Sequence, residues 1–264
     1  MLLKSFISFV LILMLYPLNA NAATNKRVLK VGMELQYPPF EMSEKDGTPS
    51  GISVDLAKAL GKYLGRKVII KNIAWDGLIP SLMTKKIDII ISSMTITDKR
   101  KKVIDFSIPY AQSDLCILTN PTSGVKSIKD LNQKGKVVAV KKGTTGHIYA
   151  TEHLKKAKTL VLDKESSAVL EVIQKRADAF IYDQLTIYRD WENHKNTTVA
   201  LLQPITKNPG YWGIALRQNE PDLKNKINDF IRQAKSNGTF DKLAYKYLKD
   251  IKKKFVELNI PFFF

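Results

Sequence analysis

The sequence predicts an α/β protein of two lobes, each a mainly parallel sheet flanked by helices. Three observations predict it. Short β-rich apolar runs alternate with amphipathic stretches along the chain, the order that yields sheets with helices packed on their faces. The roughly 240 residues that follow an export leader are more than most single cores hold together. Two extended segments bearing proline or glycine, 112–121 and 202–213, are placed to carry the chain between lobes and back.

The elements follow in order. Lys4 gives a short positive start, residues 6–15 are almost wholly apolar, and Ala20-Asn21-Ala22 is a small-x-small cleavage site, so residues 1–22 read as a secretory signal peptide. The apolar run is too short for the roughly 20 residues of a spanning helix. No cysteine stands at the predicted cut, so no lipid anchor is expected. Residues 28–33 form a strand. Residues 51–65 form a helix, with Leu56, Leu60 and Leu64 at spacing four and Gly65 as its stop. Residues 68–73 are a strand, and 75–86 carry Leu78, Ile79, Leu82 and Met83 on one face. Residues 87–93 are a buried-type strand. After the first crossing come strands at 137–140, 160–162 and 179–182, with a helix at 165–175 between the last two. A strand at 211–216 and helices at 222–236 and 240–250 close the pattern. Lobe 1 is therefore expected to be discontinuous, 23–114 and 209–264, with lobe 2 at 115–208. Residues 260–264, IPFFF, are expected to form a frayed or loosely docked end.

Charge and cysteine usage exclude several classes. Formal net charge is +17, but the lysines are dispersed, with local runs only at 99–102 and 252–254. No nucleic-acid-binding motif accompanies them, so they read as a solvated surface rather than a nucleic-acid interface. Cys116 is the single cysteine, which rules out an intramolecular disulfide and CxxC metal or redox motifs. Within Leu-Cys-Ile-Leu it reads as a small buried hydrophobe. No cofactor or metal is expected.

Three stretches carry chemistry. In 75–110, a strand ends at Ser92-Ser93, a polar loop containing Thr95 follows, and Arg100 sits in the next turn. Ligands of open α/β sheets bind outside the carboxyl ends of strands, and a guanidinium there can grip a carboxylate through two parallel hydrogen bonds. The alternative is a surface cation among Lys99, Lys101 and Lys102. In 137–146, VVAVKKGTTG, a strand runs into Gly143, Thr144 and Thr145, which suits either an anion-binding loop or a plain helix N-cap. In 177–188, Asp183 closes a buried-type strand, where it suits either an ammonium partner or the cap of a helix starting at Gln184. Together they supply two anion-binding loops, an arginine and a carboxylate, the set that a free amino acid's two charged groups require.

These motifs, with YPPFE at 37–41, GISVDLAKALG at 51–61, KGTTG at 142–146 and NGTFDKLAYKY at 237–247, resemble the periplasmic solute-binding proteins for polar amino acids. That group includes glutamine-, histidine- and lysine/arginine/ornithine-binding proteins, and the resemblance covers about 28–250. It implies the type II periplasmic binding fold, with a two-strand hinge and lobes that close on the ligand. By resemblance, Arg100 would clamp the α-carboxylate with the amide and hydroxyl of Thr95. Thr145, with Thr144, would close on it from lobe 2. Asp183 and the Ser93 carbonyl would take the α-ammonium. Tyr37 and Trp75 would sandwich the side chain, and Glu34 would meet its polar end. Glu34 favours a basic ligand; Lys141 resembles the glutamine binders. The implied partners are a free amino acid and an inner-membrane ABC permease with its ATPase, for a monomer in the periplasm.

The enzyme alternative is a cyclohexadienyl or arogenate dehydratase on the same fold. Those relatives add an acid just after the position of Asp183, where this sequence has Gln184, Leu185 and Thr186. A receptor-kinase sensor domain would need a membrane span that 252–264 does not provide.

Overall fold

The computed structural model describes residues 28–260 and 264, so the leader expected at 1–22 lies outside the described residues. Two five-stranded sheets organise the chain. In the first the order is Val68–Asn72, Leu29–Met33, Ile89–Ile90, Ala215–Leu216, Asp105–Phe106. The second runs Lys158–Leu162, Val137–Lys141, Ala179–Asp183, Leu115–Thr119, Val199–Leu201. In each, the first three strands are parallel and the last two join antiparallel. The parallel part comes from strand–helix–strand crossovers, as the alternating pattern requires. The antiparallel strands lie beside the points where the chain passes between lobes.

The hinge is a two-stranded ladder, Ala111–Ser113 paired antiparallel with Gly210–Trp212. The first crossing segment, read from sequence as 112–121, is thus shorter than expected. Leu115–Thr119 is instead an interior strand of the second sheet, flanked on both sides, which explains its unbroken apolar run. The single strand expected at 211–216 is divided. Its first part belongs to the hinge, its last to the first sheet, and Gly213–Ile214 makes the step between them.

Helices cover both sheets. Ile52–Tyr63 buries Ile52, Leu56 and Leu60 against the first, as the spacing of four demands. The expected 75–86 helix is a 3-10 turn, Trp75–Gly77, followed by Leu78–Met83. Leu78 and Leu82 are buried, whereas Met83 is half exposed because one residue past Leu82 it lies about 100° round the helix, off the core-facing stripe. In the second lobe, Glu165–Ile173 and Gln184–Asn193 pack on the sheet. The last two helices are Pro221–Ser236 and Thr239–Glu257. Ile260 and Phe264 pack, partly buried, against the first-lobe core, so these two ends of the tail are docked rather than frayed. Cys116 is fully buried, and burial pushes its thiol up.

Candidate functional site

The strands point their carboxyl ends at one cleft. Glu34 follows Leu29–Met33, Ser92 and Ser93 follow Ile89–Ile90, Thr144 and Thr145 follow Val137–Lys141, and Asp183 ends Ala179–Asp183. That placement is where open α/β sheets bind ligands. The cleft holds a small, partly open cavity. Glu34, Tyr37, Trp75, Ser93, Thr95 and Arg100 line it from the first lobe, and Thr144, Thr145 and Asp183 from the second.

Arg100 is buried, unlike its exposed neighbours Lys99, Lys101 and Lys102, so it is no ordinary surface cation. The backbone holds it. Thr97 caps its short helix by accepting from the Arg100 N–H at 3.2 Å. Nη1 donates to the Thr95 carbonyl at 2.6 Å and Nη2 to the Gly143 carbonyl of the opposite lobe at 3.1 Å. The guanidinium carbon lies 5.3 Å from the centre of the Trp75 ring. Burial pulls Arg100 down to about 10, so it stays cationic at neutral pH.

The two threonines divide their tasks. Thr144 caps Thr145–His153: its Oγ1 accepts from the His147 N–H and donates to the Lys141 carbonyl at 2.7 Å. Its hydroxyl is therefore engaged in the turn, while the residue lines the cavity. Thr145 sits at the first helical position, where backbone N–H groups are unpaired and face an anion readily. The helix can start this close to the sheet because Gly146 has no Cβ; one there would fall 2.3 Å from the Ile181 carbonyl oxygen.

Asp183 caps a helix and also faces the cavity. Its Oδ1 accepts from the Thr186 N–H at 3.0 Å, capping Gln184–Asn193, while the residue lines the cavity. Burial raises its carboxyl above the ordinary range, and the Thr186 amide partly offsets this. The Tyr37 hydroxyl is buried without a hydrogen-bond partner. The Tyr37 ring stacks on Phe40 at 5.5 Å and meets Trp212 edge-on at 6.0 Å, so an aromatic cluster fixes its position.

Glu34 and Lys141 form an ion pair between the lobes, with side-chain exposures of 9% and 4%. Glu34 also accepts from the Trp75 N–H at 3.3 Å. Lys141 is thus turned inward, but it stands behind Glu34 rather than on the cavity surface. Its Nζ lies 6.0 Å from the centre of the Trp75 ring.

Glu41, Ser92, Ser113, Tyr182 and Trp212 also line the cavity and were not foreseen. Glu41 accepts from the hydroxyls of Ser53 at 2.6 Å, Ser93 at 3.1 Å and Ser92 at 3.3 Å. Burial nonetheless pushes its carboxyl up to about 8. Its signal was the last letter of YPPFE. Tyr182 adjoins Asp183, and Ser113 and Trp212 belong to the hinge.

Among the described residues no group of three or more His, Cys, Asp or Glu is placed to hold a metal, and no helix is long and apolar enough to cross a membrane. The cleft offers one cation held by backbone and one carboxylate opposite, with Glu34, already paired to Lys141, on its wall.

Comparisons with known proteins agree. The family model for bacterial extracellular solute-binding proteins, family 3, matches residues 29–250. The L-cystine-binding protein TcyJ of Escherichia coli strain K12 is 32% identical over 230 residues, covering 86% of this chain and 85% of that protein. The crystal structure of the ancestral amino acid-binding protein AncCDT-1, a precursor of cyclohexadienyl dehydratase, is 38% identical with a TM-score of 0.75, covering 85% of this chain and 96% of that one. An ancestral arginine-binding protein bound to glutamine is 35% identical with a TM-score of 0.75, covering 84% of this chain and 97% of that one.

Proposed function

This chain belongs to the bacterial extracellular solute-binding proteins, family 3, and on that premise we propose that it captures a polar amino acid with an uncharged side chain, glutamine first, for import. The two lobes, 23–114 with 209–264 and 115–208, close on the ligand. An inner-membrane ABC permease with its ATPase then accepts it from a monomer exported to the periplasm.

One observation carries this reading: Arg100 and Asp183 flank a single cavity from opposite lobes. The guanidinium, with Thr95 and the free helix start at Thr145, takes the α-carboxylate. Asp183, with the Ser93 carbonyl, takes the α-ammonium. Trp75 and Tyr37 pack on the side chain. Glu34 would serve a cationic side chain if it were free, but Lys141 already neutralises it. A matched pair offers an acceptor and leaves no net charge, which suits an amide. The relative seen with glutamine is itself described as an arginine-binding protein, so the two ligand types lie close on this scaffold.

Catalysis is not the favoured reading. Gln184, in the place where a dehydratase would carry an acid, donates its amide to the Leu202 carbonyl at 2.8 Å.

The test is a thermal-shift panel of the twenty amino acids and ornithine on ligand-stripped protein. A binder at a hundredfold excess over its Kd adds about 2.7 kcal/mol of stability. Arg100→Ala should abolish the shift while circular dichroism stays native, because a carboxylate closed into the cleft without its cation loses several kcal/mol. A panel without any response would refute amino-acid capture.

A further inference from the structure

The family match ends at residue 250, yet the last helix continues to Glu257. On that continuation Phe255 is fully buried. Its ring meets Tyr188 edge-on, with centroids 5.7 Å apart. Tyr188 belongs to the second lobe, on Gln184–Asn193, the helix that Asp183 caps. Beyond Glu257 the chain reverses. Asn259 takes a left-handed backbone, and the Ile260 N–H donates to the Phe255 carbonyl at 2.8 Å, a helix-terminating turn. The ring of Phe264 then lies 5.5 Å from Phe240 and 6.1 Å from Phe40. Phe40 is the residue on which Tyr37 stacks.

The segment after Asp250 therefore touches both walls of the cleft at once. On one side it meets the helix headed by Asp183; on the other it meets the loop that carries Tyr37. The same helix and loop also meet through Arg189, whose Nη1 donates to the Pro38 carbonyl at 2.6 Å.

We propose that residues 251–260 together with Phe264 form an interlobe strap, in which Phe255 and Phe264 position Asp183 and Tyr37 for ligand by holding helix 184–193 against the first lobe. The proposal rests on the binding function given above. Its physical basis is burial. Swinging the second lobe away uncovers Phe255 and Tyr188 to water, so the strap favours the closed arrangement before ligand arrives. Apparent affinity is the intrinsic affinity scaled by the competent population, so loosening the strap weakens capture without touching a ligand contact.

The experiment uses the full chain with Phe255→Leu, Tyr188→Leu and their double variant, and Phe264→Ser as a milder change at a partly exposed ring. Hydrogen exchange of helix 184–193 is followed in ligand-free protein, and L-glutamine affinity by calorimetry. Each single variant should speed exchange in that helix and weaken L-glutamine about fivefold through the lost closed population. The double variant should add little to either single one, because both remove the same contact. Unchanged exchange in helix 184–193 overturns the strap, even where melting temperature falls, since Phe255 would then be a first-lobe core residue only. Faster exchange with unchanged L-glutamine affinity overturns the positioning role. If the wild-type chain binds no amino acid, the functional reading falls by itself, and exchange still decides whether the strap exists.

Discussion

Lys141 shows how much one side chain decides. Its ammonium and Glu34 are nearly withdrawn from water, and each is the other's compensation. Removing one partner of such a pair leaves a buried charge that costs about 3–5 kcal/mol. Lys141→Met keeps bulk and removes the cation, so Glu34 then needs a new one. The expected result is a switch of preference: glutamine weakens, and lysine or arginine gains about tenfold or more relative to it. Calorimetry with both ligands on both proteins measures the ratio, and an unchanged ratio would place Glu34 away from the ligand side chain. Glu41 makes a second prediction. In the folded protein its carboxyl titrates near 8, above the unfolded value of about 4.3. The folded state thus holds a proton that the unfolded chain releases, and stability falls as pH rises between those values. Asp190, also raised by burial to about 8, acts in the same window. Each group contributes a slope of at most about 1.4 kcal/mol per pH unit. Glu41→Gln should flatten the decline of melting temperature between pH 5 and 8 without abolishing it; an unaltered profile would show Glu41 ionised throughout.

At the scale of elements, strand ends and helix starts do the positioning, and Asp183 is both. Asn caps a helix about as well as Asp, so Asp183→Asn should keep Gln184–Asn193 intact. It removes the charge that faces the α-ammonium, and amino-acid affinity should drop by about 2 kcal/mol. Melting temperature should hold or rise, because a buried carboxylate no longer has to be desolvated. A loss of stability with unchanged affinity would make Asp183 a cap and nothing more. The same elements show what the sequence discloses. Thr145 and Asp183 were legible because each lies where an apolar run gives way to a helix start, and Arg100 because the polar loop after such a run leads into its turn. Glu41 and Trp212 were not. The small strand Glu41–Ser43 and the hinge strand Gly210–Trp212 are too short for periodicity to register. Their approach to the cavity is set by tertiary packing. Thr144 and Thr145 are adjacent and alike in sequence, and the cap geometry separates their tasks.

For the whole molecule, the question is what holds two lobes together strongly enough to close yet weakly enough to open. Adjacent lysines answer it, because successive residues near a strand end face opposite ways. Lys141 turns inward to Glu34, while Lys142 turns outward to Asp76 on the opposite rim at 2.9 Å. Lys142 and Asp76 are each about half exposed, with side-chain exposures of 52% and 47%. Asp76 lies below the usual carboxylate range mainly because Lys142 hydrogen-bonds to it. Water and salt nonetheless screen such a pair, and holding two long side chains together offsets much of the gain. The rim contact should therefore guide closure rather than secure it. Asp76→Asn should change ligand affinity by no more than about twofold, and raising the salt concentration should erase even that difference. Glu34→Gln, which breaks the inner pair, should weaken binding far more and in a way that salt does not alter. Affinity titrations of both variants at low and high salt separate the two contacts. If Asp76→Asn proved the more damaging and the more salt-sensitive change, closure would be governed at the rim, and the buried pair would serve ligand selection alone.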